Sequence, residues 1–389
     1  MSRYVIIGNG VAGTTAAESI RKTDKDGEMT IITDEDLPFY YRVRLNEFIS
    51  GDMPEQDLIA KKEKWYKDNR IDIKLNIRIT GADPGSKTVF TANNEKHDYD
   101  RLLIAAGSHS FIPPIAGSDK QGVFALRNIQ DARHISDWAA KIENVVLIGG
   151  GLLGLEAGNA LRKLGKKIMV VEFFPRLLPR QLDVDGANRL QSIMEDMGFS
   201  FRLGAKTEEI AGDEKVSAVR LEGGETLDAD MVVISAGVRP NLELAEPLGL
   251  DTDKGIQVDG RLQTSQPDIY AAGDVAEFQG MPYGIWPAAM DQGKVAGINM
   301  AGGDTLYEGT TMANTLKVVG VDLASAGNID VEGKLESRVV TDEKVYKKVV
   351  FENNQIAGAI MLGDTKGFNK ITQAMTEKKD ISDVRDQLI

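Results

Sequence analysis

The apolar positions of this chain fall into short bursts separated by glycine-rich turns and polar, helix-like stretches. Tyr4-Val5-Ile6-Ile7 has the pattern of a short buried strand, Val11–Arg21 reads as a helix, and Met29–Thr33 as a second strand. The same order returns at Asn144–Ile148, Leu152–Leu164 and Lys167–Val171. One supersecondary unit is therefore used twice, at a spacing far too long for a solenoid, and two nucleotide-binding lobes are expected.

Further strand-and-turn signals follow each unit. Leu102–Ala105 runs into Ala106-Gly107, and the stiff Ile112-Pro113-Pro114 crosses onward. Met231–Ser235 runs into Ala236-Gly237, and Asp268–Asp274 makes a third strand and turn of this kind. From about residue 305 the pattern changes to alternation at Thr315–Val319, Tyr346–Phe351 and Ile356–Met361, which predicts an antiparallel sheet, with a helix near Gly367–Glu377. The expected fold class is α/β, with two nested Rossmann-like three-layer dinucleotide-binding domains plus a C-terminal α/β domain. The first spans 1–110 and 241–304, the second 111–240, and the third 305–389.

Composition narrows the chemistry. Apolar residues make up 42% and aromatic residues 6% of 389 positions, an ordinary globular balance on a chain too long for one core. No apolar run approaches the roughly 20 residues that span a bilayer, and no signal-peptide pattern is visible, so a cytoplasmic protein is expected. The net charge of −13 argues against nucleic acid or an anionic membrane surface as partner. Residues 305–389 are nearly balanced, thirteen acidic against eleven basic, and there a locally basic docking face is expected. The sequence contains no cysteine. Disulfide, sulfenic and thiolate-ligated iron–sulfur chemistry are thereby excluded from these residues, and any redox step must sit on a bound cofactor.

Gly8-Asn9-Gly10-Val11-Ala12-Gly13 fits G-x-G-x-x-G between the first strand and its helix. The first glycine permits the tight turn, the second lets the backbone approach a pyrophosphate, and the third lets helix pack on strand. Val11 and Ala12 open the helix, whose free N–H groups face the phosphates. Asp34, 21 residues beyond Gly13, is the candidate acceptor for ribose hydroxyls, and Glu35 beside it is the alternative. Gly149-Gly150-Gly151-Leu152-Leu153-Gly154 is the second copy, with Glu172 18 residues beyond Gly154. A carboxylate there accepts from a free 2′-hydroxyl and repels a 2′-phosphate. Phe173 and Phe174 follow where NADP sites more often carry arginine, so NAD(H) is expected. One such motif is weak evidence, whereas two, each with strand, helix and spaced acid, are not.

These motifs, with Tyr99–Ser108, Ser235–Asn241 and Tyr270–Ala276, make the chain resemble the two-dinucleotide-binding-domain flavoprotein reductases of the pyridine nucleotide:disulfide oxidoreductase fold. The resemblance implies FAD in the first domain and NAD(H) in the second. It implies that Asp274 bonds the FAD ribityl chain and that Gly107 lines the flavin site, with Gly237 and Gly273 in the equivalent matched turns. Arg42 would meet the FAD phosphates or the flavin edge, Arg127 would be a further FAD contact, and Ile79 an adenine backbone contact. The amides of Ala289 and Met290 would lie near the flavin pyrimidine. Within that family, Tyr40–Glu47, Ile285–Gly293, Asn314–Gly320 and Gly358–Asp364 resemble the NADH:rubredoxin reductases and the N-terminal part of the NADH-nitrite reductases. The implied activity passes a hydride from NADH to FAD and then single electrons to a rubredoxin-like protein. The alternatives are an electron-transfer subunit working with iron–sulfur partner subunits, a flavin NADH oxidase, and a non-catalytic NADH-sensing protein. Glu47 stands where ferredoxin-reductase relatives carry a lysine near flavin N5, which makes it a candidate tuning residue. Leu316 replaces an aromatic that some relatives place over the flavin. The missing cysteine excludes the thiol-dependent branches.

Other residues carry two readings each. Glu156 either reaches the nicotinamide side of the second lobe or makes an ion pair near its helix start. Lys61-Lys62-Glu63-Lys64 is by default a solvated helix face and alternatively a docking patch, and Lys317 is weighed in the same way. Trp286 either shields the flavin or packs. His97, His109 and His134 share no metal-ligand spacing.

Overall fold

The computed structural model describes residues 1–343 and 345–382, the side chains of 313–318 excepted. The chain divides into two compact units, one built from Met1–Arg42, Pro54–His109 and Val238–Thr310, the other from Val43–Met53, Ser110–Gly237 and Thr311–Ile389.

At the centre of the first unit is a parallel sheet in the order Ile269–Ala271, Arg101–Ile104, Arg3–Ile7, Glu28–Ile32, Ile71–Lys74. Ile6, Ile31 and Leu103 face Ala16 and Ile20 of the helix Val11–Thr23, while Val5, Ile32, Leu102 and Ile104 face Leu248, Ile256 and Val275. Alternate side chains leave opposite faces of a strand, and both faces are covered, which is why these strands read as unbroken apolar bursts. The helix Val11–Thr23 also packs on Trp286–Met300. A Cβ on Gly293 would lie 2.4 Å from the Ala12 carbonyl oxygen, and one on Gly297 2.4 Å from that of Ala16. Glycines four apart share a helix face, so the two backbones touch along it.

The second unit repeats the plan in the order Phe199–Leu203, Lys167–Glu172, Asn144–Ile148, Met231–Ile234, Val123–Phe124, again parallel. Read from its other edge, four strands match the first sheet in order, Met231–Ile234, Asn144–Ile148, Lys167–Glu172 and Phe199–Leu203 corresponding to Arg101–Ile104, Arg3–Ile7, Glu28–Ile32 and Ile71–Lys74, so the repeated sequence pattern is a repeated topology. Only the edge strand differs, Ile269–Ala271 following the glycine-motif strand in the chain and Val123–Phe124 preceding it. In both sheets the strand before the glycine motif is flanked by neighbours on either side, the arrangement that in open α/β sheets places the ligand crevice beyond its carboxyl end. Two antiparallel ribbons lie outside the sequence expectations, Ile79–Asp83 with Thr88–Thr91 and Lys96–Asp98, and Thr207–Ala211 with Ala218–Leu221 and Thr226–Asp228.

The second unit also holds an antiparallel sheet in the order Ala313–Val318, Val321–Gly327, Gln355–Leu362, Tyr346–Glu352, Glu336–Thr341. Phe368 and Ile371 of the helix Phe368–Thr376 pack on it against Val349, Phe351 and Met361. The expected strands are present, but Val319 leaves the first of them. With φ of 55° it makes, with Gly320 at 87°, the two-residue turn into Val321–Gly327. The sheet is tied to the helix Val184–Asp196 by a buried network. Asp183 caps that helix through the Gly186 amide at 3.1 Å and accepts from Tyr346 Oη at 2.6 Å and Lys348 Nζ at 3.1 Å. Among the described residues no helix is long and apolar enough to cross a membrane.

Candidate functional site

In the first unit the three glycines of the motif meet different demands. Gly8 has φ of 105°, and a Cβ there would lie 2.1 Å from the Ala105 carbonyl oxygen; a Cβ on Gly13 would lie 2.1 Å from that of Gly8. Both are required by the fold itself. Gly10 has an ordinary extended backbone, and its Cβ would meet no atom within 4 Å. No atom of the chain fills that place, which leaves room for a phosphate group to lie close to the backbone. The helix behind it has no side-chain cap and no acid in its first turn, which leaves its amides for an anion. By contrast, Ile129–Ala139 and Val184–Asp196 are capped by Asn128 and Asp183.

A cleft beside Gly10 is lined by Thr33, Glu35, Tyr40 and Arg42. Arg42 pairs with the Glu35 carboxylate and donates to Tyr40 Oη at 3.0 Å, and Tyr40 donates to Glu35. The strand before this turn ends at Ile32, and the chain then bends so that Asp34 is exposed while Glu35 faces the cleft. Of the two acids weighed from spacing, the one brought together with Gly10 and Arg42 is Glu35. A residue without a sequence signal supports this wall. Buried Tyr66 accepts from Asn9 Nδ2 and from the Phe39 amide, both at 2.9 Å, and so ties the glycine turn to the segment leading to Arg42.

Asp274 stands at the carboxyl end of Ile269–Ala271 and accepts from Ser108 Oγ at 2.9 Å. Asn241 fixes the neighbouring loop, its Nδ2 donating to Ala106 at 2.7 Å and its amide to Gly107 at 3.0 Å. Gly107, with φ of 69°, has open space at its Cβ position. Ile79 is buried at the start of its ribbon. Trp286 opens the helix Trp286–Met300 and stacks on Tyr41 at 6.1 Å within an aromatic cluster that includes Phe39. One turn in, the amide of buried Ala289 is engaged with the Ile285 carbonyl at 3.1 Å, and Met290 is exposed.

The second unit repeats the arrangement. Gly149 has φ of 115° with a Cβ position 2.3 Å from the Ser235 carbonyl oxygen, and that of Gly154 is 2.7 Å from Gly149. Gly151 has φ of −80°, no atom within 4 Å of its Cβ position, and an uncapped helix behind it that opens with Leu152 and Leu153. Glu172 is buried at the strand end, its two oxygens held by the amides of Gly150 at 2.5 Å and Phe174 at 2.8 Å. Beside it Phe173 and Phe174 expose 65% and 50% of their surface, ring edge to ring face. Arg176 turns to the carbonyls of Pro179 and Leu182. Gly237, with φ of 103°, also has open space at its Cβ position.

Glu156 accepts the Val319 amide at 2.8 Å, so its partner is a backbone group and not a lysine or arginine. Burial raises its pKa, opposed by that bond and by Lys163. Glu47 makes a two-pronged pair with Arg44 at 2.8 and 2.6 Å. The amide of Arg127 donates to Asp131 at 2.8 Å in the capping box of the next helix. Lys61, before the helix Glu63–Asp68, is partly buried where it pairs with Glu18 and covers the Trp65 ring, while Lys64 pairs with Asp68 on the solvated face of that helix. The side chains of Leu316 and Lys317 lie outside the described residues. Among the described residues no group of three His, Asp or Glu is placed to hold a metal ion.

Residues 2–293 match the family model described as pyridine nucleotide-disulphide oxidoreductase. The chain belongs to this family. Residues 313–379 match the rubredoxin NAD+ reductase C-terminal domain. The chain is 38% identical over 385 residues to a nitrite reductase [NAD(P)H] of Bacillus subtilis, covering 98% of this chain and 48% of that protein. It is 31% identical over 385 residues to the NADH-rubredoxin oxidoreductase of Clostridium acetobutylicum, covering 98% and 97%. The crystal structure of NADH:rubredoxin oxidoreductase from Clostridium acetobutylicum superposes with a TM-score of 0.84 at 30% identity, covering 98% and 97%. The chain thus spans about half the length of the nitrite reductase relatives it matches. Membership of the pyridine nucleotide-disulphide oxidoreductases bears out the resemblance read from the motifs.

Proposed function

We propose that this chain is an FAD-dependent NADH:acceptor oxidoreductase that hands electrons to a small carrier protein of rubredoxin type in the cytoplasm. The observation that carries the reading is the pair of glycine turns, in each of which only the middle glycine, Gly10 or Gly151, opens onto free space. A protein that merely used glycines to pack helix on strand has no need of these two. The family and the C-terminal match point to the same class of acceptor.

In this proposal residues 1–110 and 241–304 hold FAD, 111–240 hold NADH, and 305–389 shape the acceptor side. Gly8, Gly10 and Gly13, with the amides of Val11 and Ala12, take the FAD pyrophosphate, and Glu35, in preference to Asp34, takes the ribose. Arg42 neutralises phosphate charge, and Ser108 orients Asp274 toward the ribityl chain. Gly149, Gly151 and Gly154 take the NADH pyrophosphate with the amides of Leu152 and Leu153. Glu172 accepts from the adenosine ribose, and Phe173 and Phe174 offer apolar surface where a 2′-phosphate would need cations. Bound FAD supplies a centre that accepts two electrons from NADH and gives them up singly. The chain's own contribution is orientation and the exclusion of competing reactions, with no side-chain nucleophile.

A second reading is favoured by the 38% identity to half of a longer nitrite reductase, in which the same chemistry serves a larger metalloenzyme. Anaerobic stopped-flow reduction of the yellow protein by NADH, followed by mixing with rubredoxin, ferredoxin or air, separates the readings. Fast reduction and fast rubredoxin turnover support the first. Fast reduction without turnover by free carriers or oxygen supports the second, and slow reduction by NADH refutes both.

A further inference from the structure

Gln292 lies in the helix Trp286–Met300, is fully buried, and holds the turn carrying Asp274 from a neighbouring element, beside the turn's own bond from the Ala276 amide to the Gly273 carbonyl at 3.0 Å. Its Oε1 accepts the Gly273 amide at 2.8 Å. Gly273 has φ of 83°, and a Cβ there would lie 3.0 Å from Cβ of Ala12, at the start of the first phosphate helix. A glycine with a left-handed backbone costs little to rotate, so the orientation of the next residue depends on what fixes the Gly273 peptide. Asp274 itself is gripped from the other side by Ser108 Oγ at 2.9 Å. The carboxylate is thus set between two hydrogen bonds from different elements. One acts on the side chain, and the other acts through the backbone one residue before it.

The amide end of Gln292 makes its role specific. Its Oε1 accepts the Gly273 amide, while its buried Nε2 makes no close hydrogen bond and has only the Tyr307 hydroxyl within electrostatic reach. A buried amide nitrogen so weakly met is unfavourable, and an apolar side chain of similar length would avoid that cost. What Gln292 offers in return is the acceptor for Gly273. We propose that Gln292 is a positioning residue for FAD: through the Gly273 peptide it sets Asp274 for the ribityl chain and so governs how tightly and in what environment the flavin is held. This inference rests on the assignment of FAD to the first unit.

The test uses the holoenzyme. Gln292→Met keeps length and volume but removes the acceptor. Gln292→Glu keeps an oxygen at the same place and replaces the weakly met nitrogen by a second oxygen, to which the Tyr307 hydroxyl can donate. FAD release on dilution is followed by the rise in free-flavin fluorescence, together with the visible circular dichroism of the bound flavin and its midpoint potential. Gln292→Met is expected to raise the FAD dissociation constant roughly tenfold, the size of one lost buried hydrogen bond, and to change the visible dichroism. Gln292→Glu is expected to restore both toward wild type. A Met variant that holds FAD with unchanged affinity and spectrum overturns the proposal. So does a Glu variant that releases FAD as readily as the Met variant, because the acceptor would then not be the operative feature. A wild-type protein that binds no FAD refutes the cofactor assignment instead.

Discussion

Replacing Lys348 by Met tests the network that joins the C-terminal sheet to the nucleotide-binding part of the second unit. Lys348 and Asp183 expose 8% and 9% of their side chains, with Nζ and Oδ2 3.1 Å apart. Lys348 also donates to the Asp330 carbonyl at 3.1 Å, and Asp183 receives Tyr346 Oη and the Gly186 amide. In Lys348→Met the carboxylate stays buried with a phenol and one amide but no countercharge. Removing one partner of a buried pair costs about 3–5 kcal/mol, because the remaining ion is left uncompensated. For a unit of this size each kcal/mol lowers the unfolding midpoint by about 2–4 °C, so a drop of about 6–20 °C is expected. Adding Asp183→Asn removes the orphaned charge while keeping a good helix cap, so the double variant should recover more than half of the loss. Thermal unfolding by far-ultraviolet circular dichroism, with hydrogen exchange of the helix Val184–Asp196, gives both numbers. A single variant within about 1 kcal/mol of wild type, or a double variant no better than the single, would refute the reasoning.

The two glycine classes should separate cleanly. Gly151→Ala places its methyl in open space, so stability should hold while the apparent affinity for NADH falls by roughly tenfold or more, whereas Gly149→Ala drives a Cβ against the Ser235 carbonyl and should unfold the unit; NADH titration beside thermal unfolding reads both. Asp230 should contribute acid sensitivity. The Asn144 amide, aided by that of Glu143 and the Asn144 side chain, holds its carboxyl below the usual carboxylate range against a smaller effect of burial. The unfolded chain therefore binds the proton more readily, and the stabilisation is present above about pH 4 and lost as the pH falls through the folded-state value. Unfolding midpoints of wild type and Asp230→Asn should differ at neutral pH and converge in acid; a gap that widens in acid contradicts this. Glu172→Arg should weaken NADH binding and narrow the preference over NADPH, measured as the ratio of the two kcat/KM values; an unchanged ratio would remove Glu172 from the ribose site.

The parts of the site that the chain alone determined are those whose constraint is local. A strand, a turn that needs left-handed backbone and an uncapped helix occupy one continuous stretch, Arg3–Thr23 in one lobe and Asn144–Lys163 in the other, and the sterics of Gly8, Gly13, Gly149 and Gly154 act within that stretch or on the end of the strand paired beside it. The duplicated topology was legible for the same reason, because each parallel strand is buried on both faces and therefore uniformly apolar. Asp34 and Glu35 are neighbours 21 and 22 residues beyond Gly13, and the bend after Ile32 separates them by exposing Asp34 and aiming Glu35 at Tyr40 and Arg42. The hairpin at Val319-Gly320 lacks the Asn-Gly signature of such turns, so the strand Val321–Gly327 was not anticipated. Asn9 with Tyr66, Gly273 with Gln292 and Asp183 with Lys348 bring together residues 57, 19 and 165 positions apart. A polar side chain carries no mark of its partner, and its burial and bonding are set only when the packed elements exclude water around it.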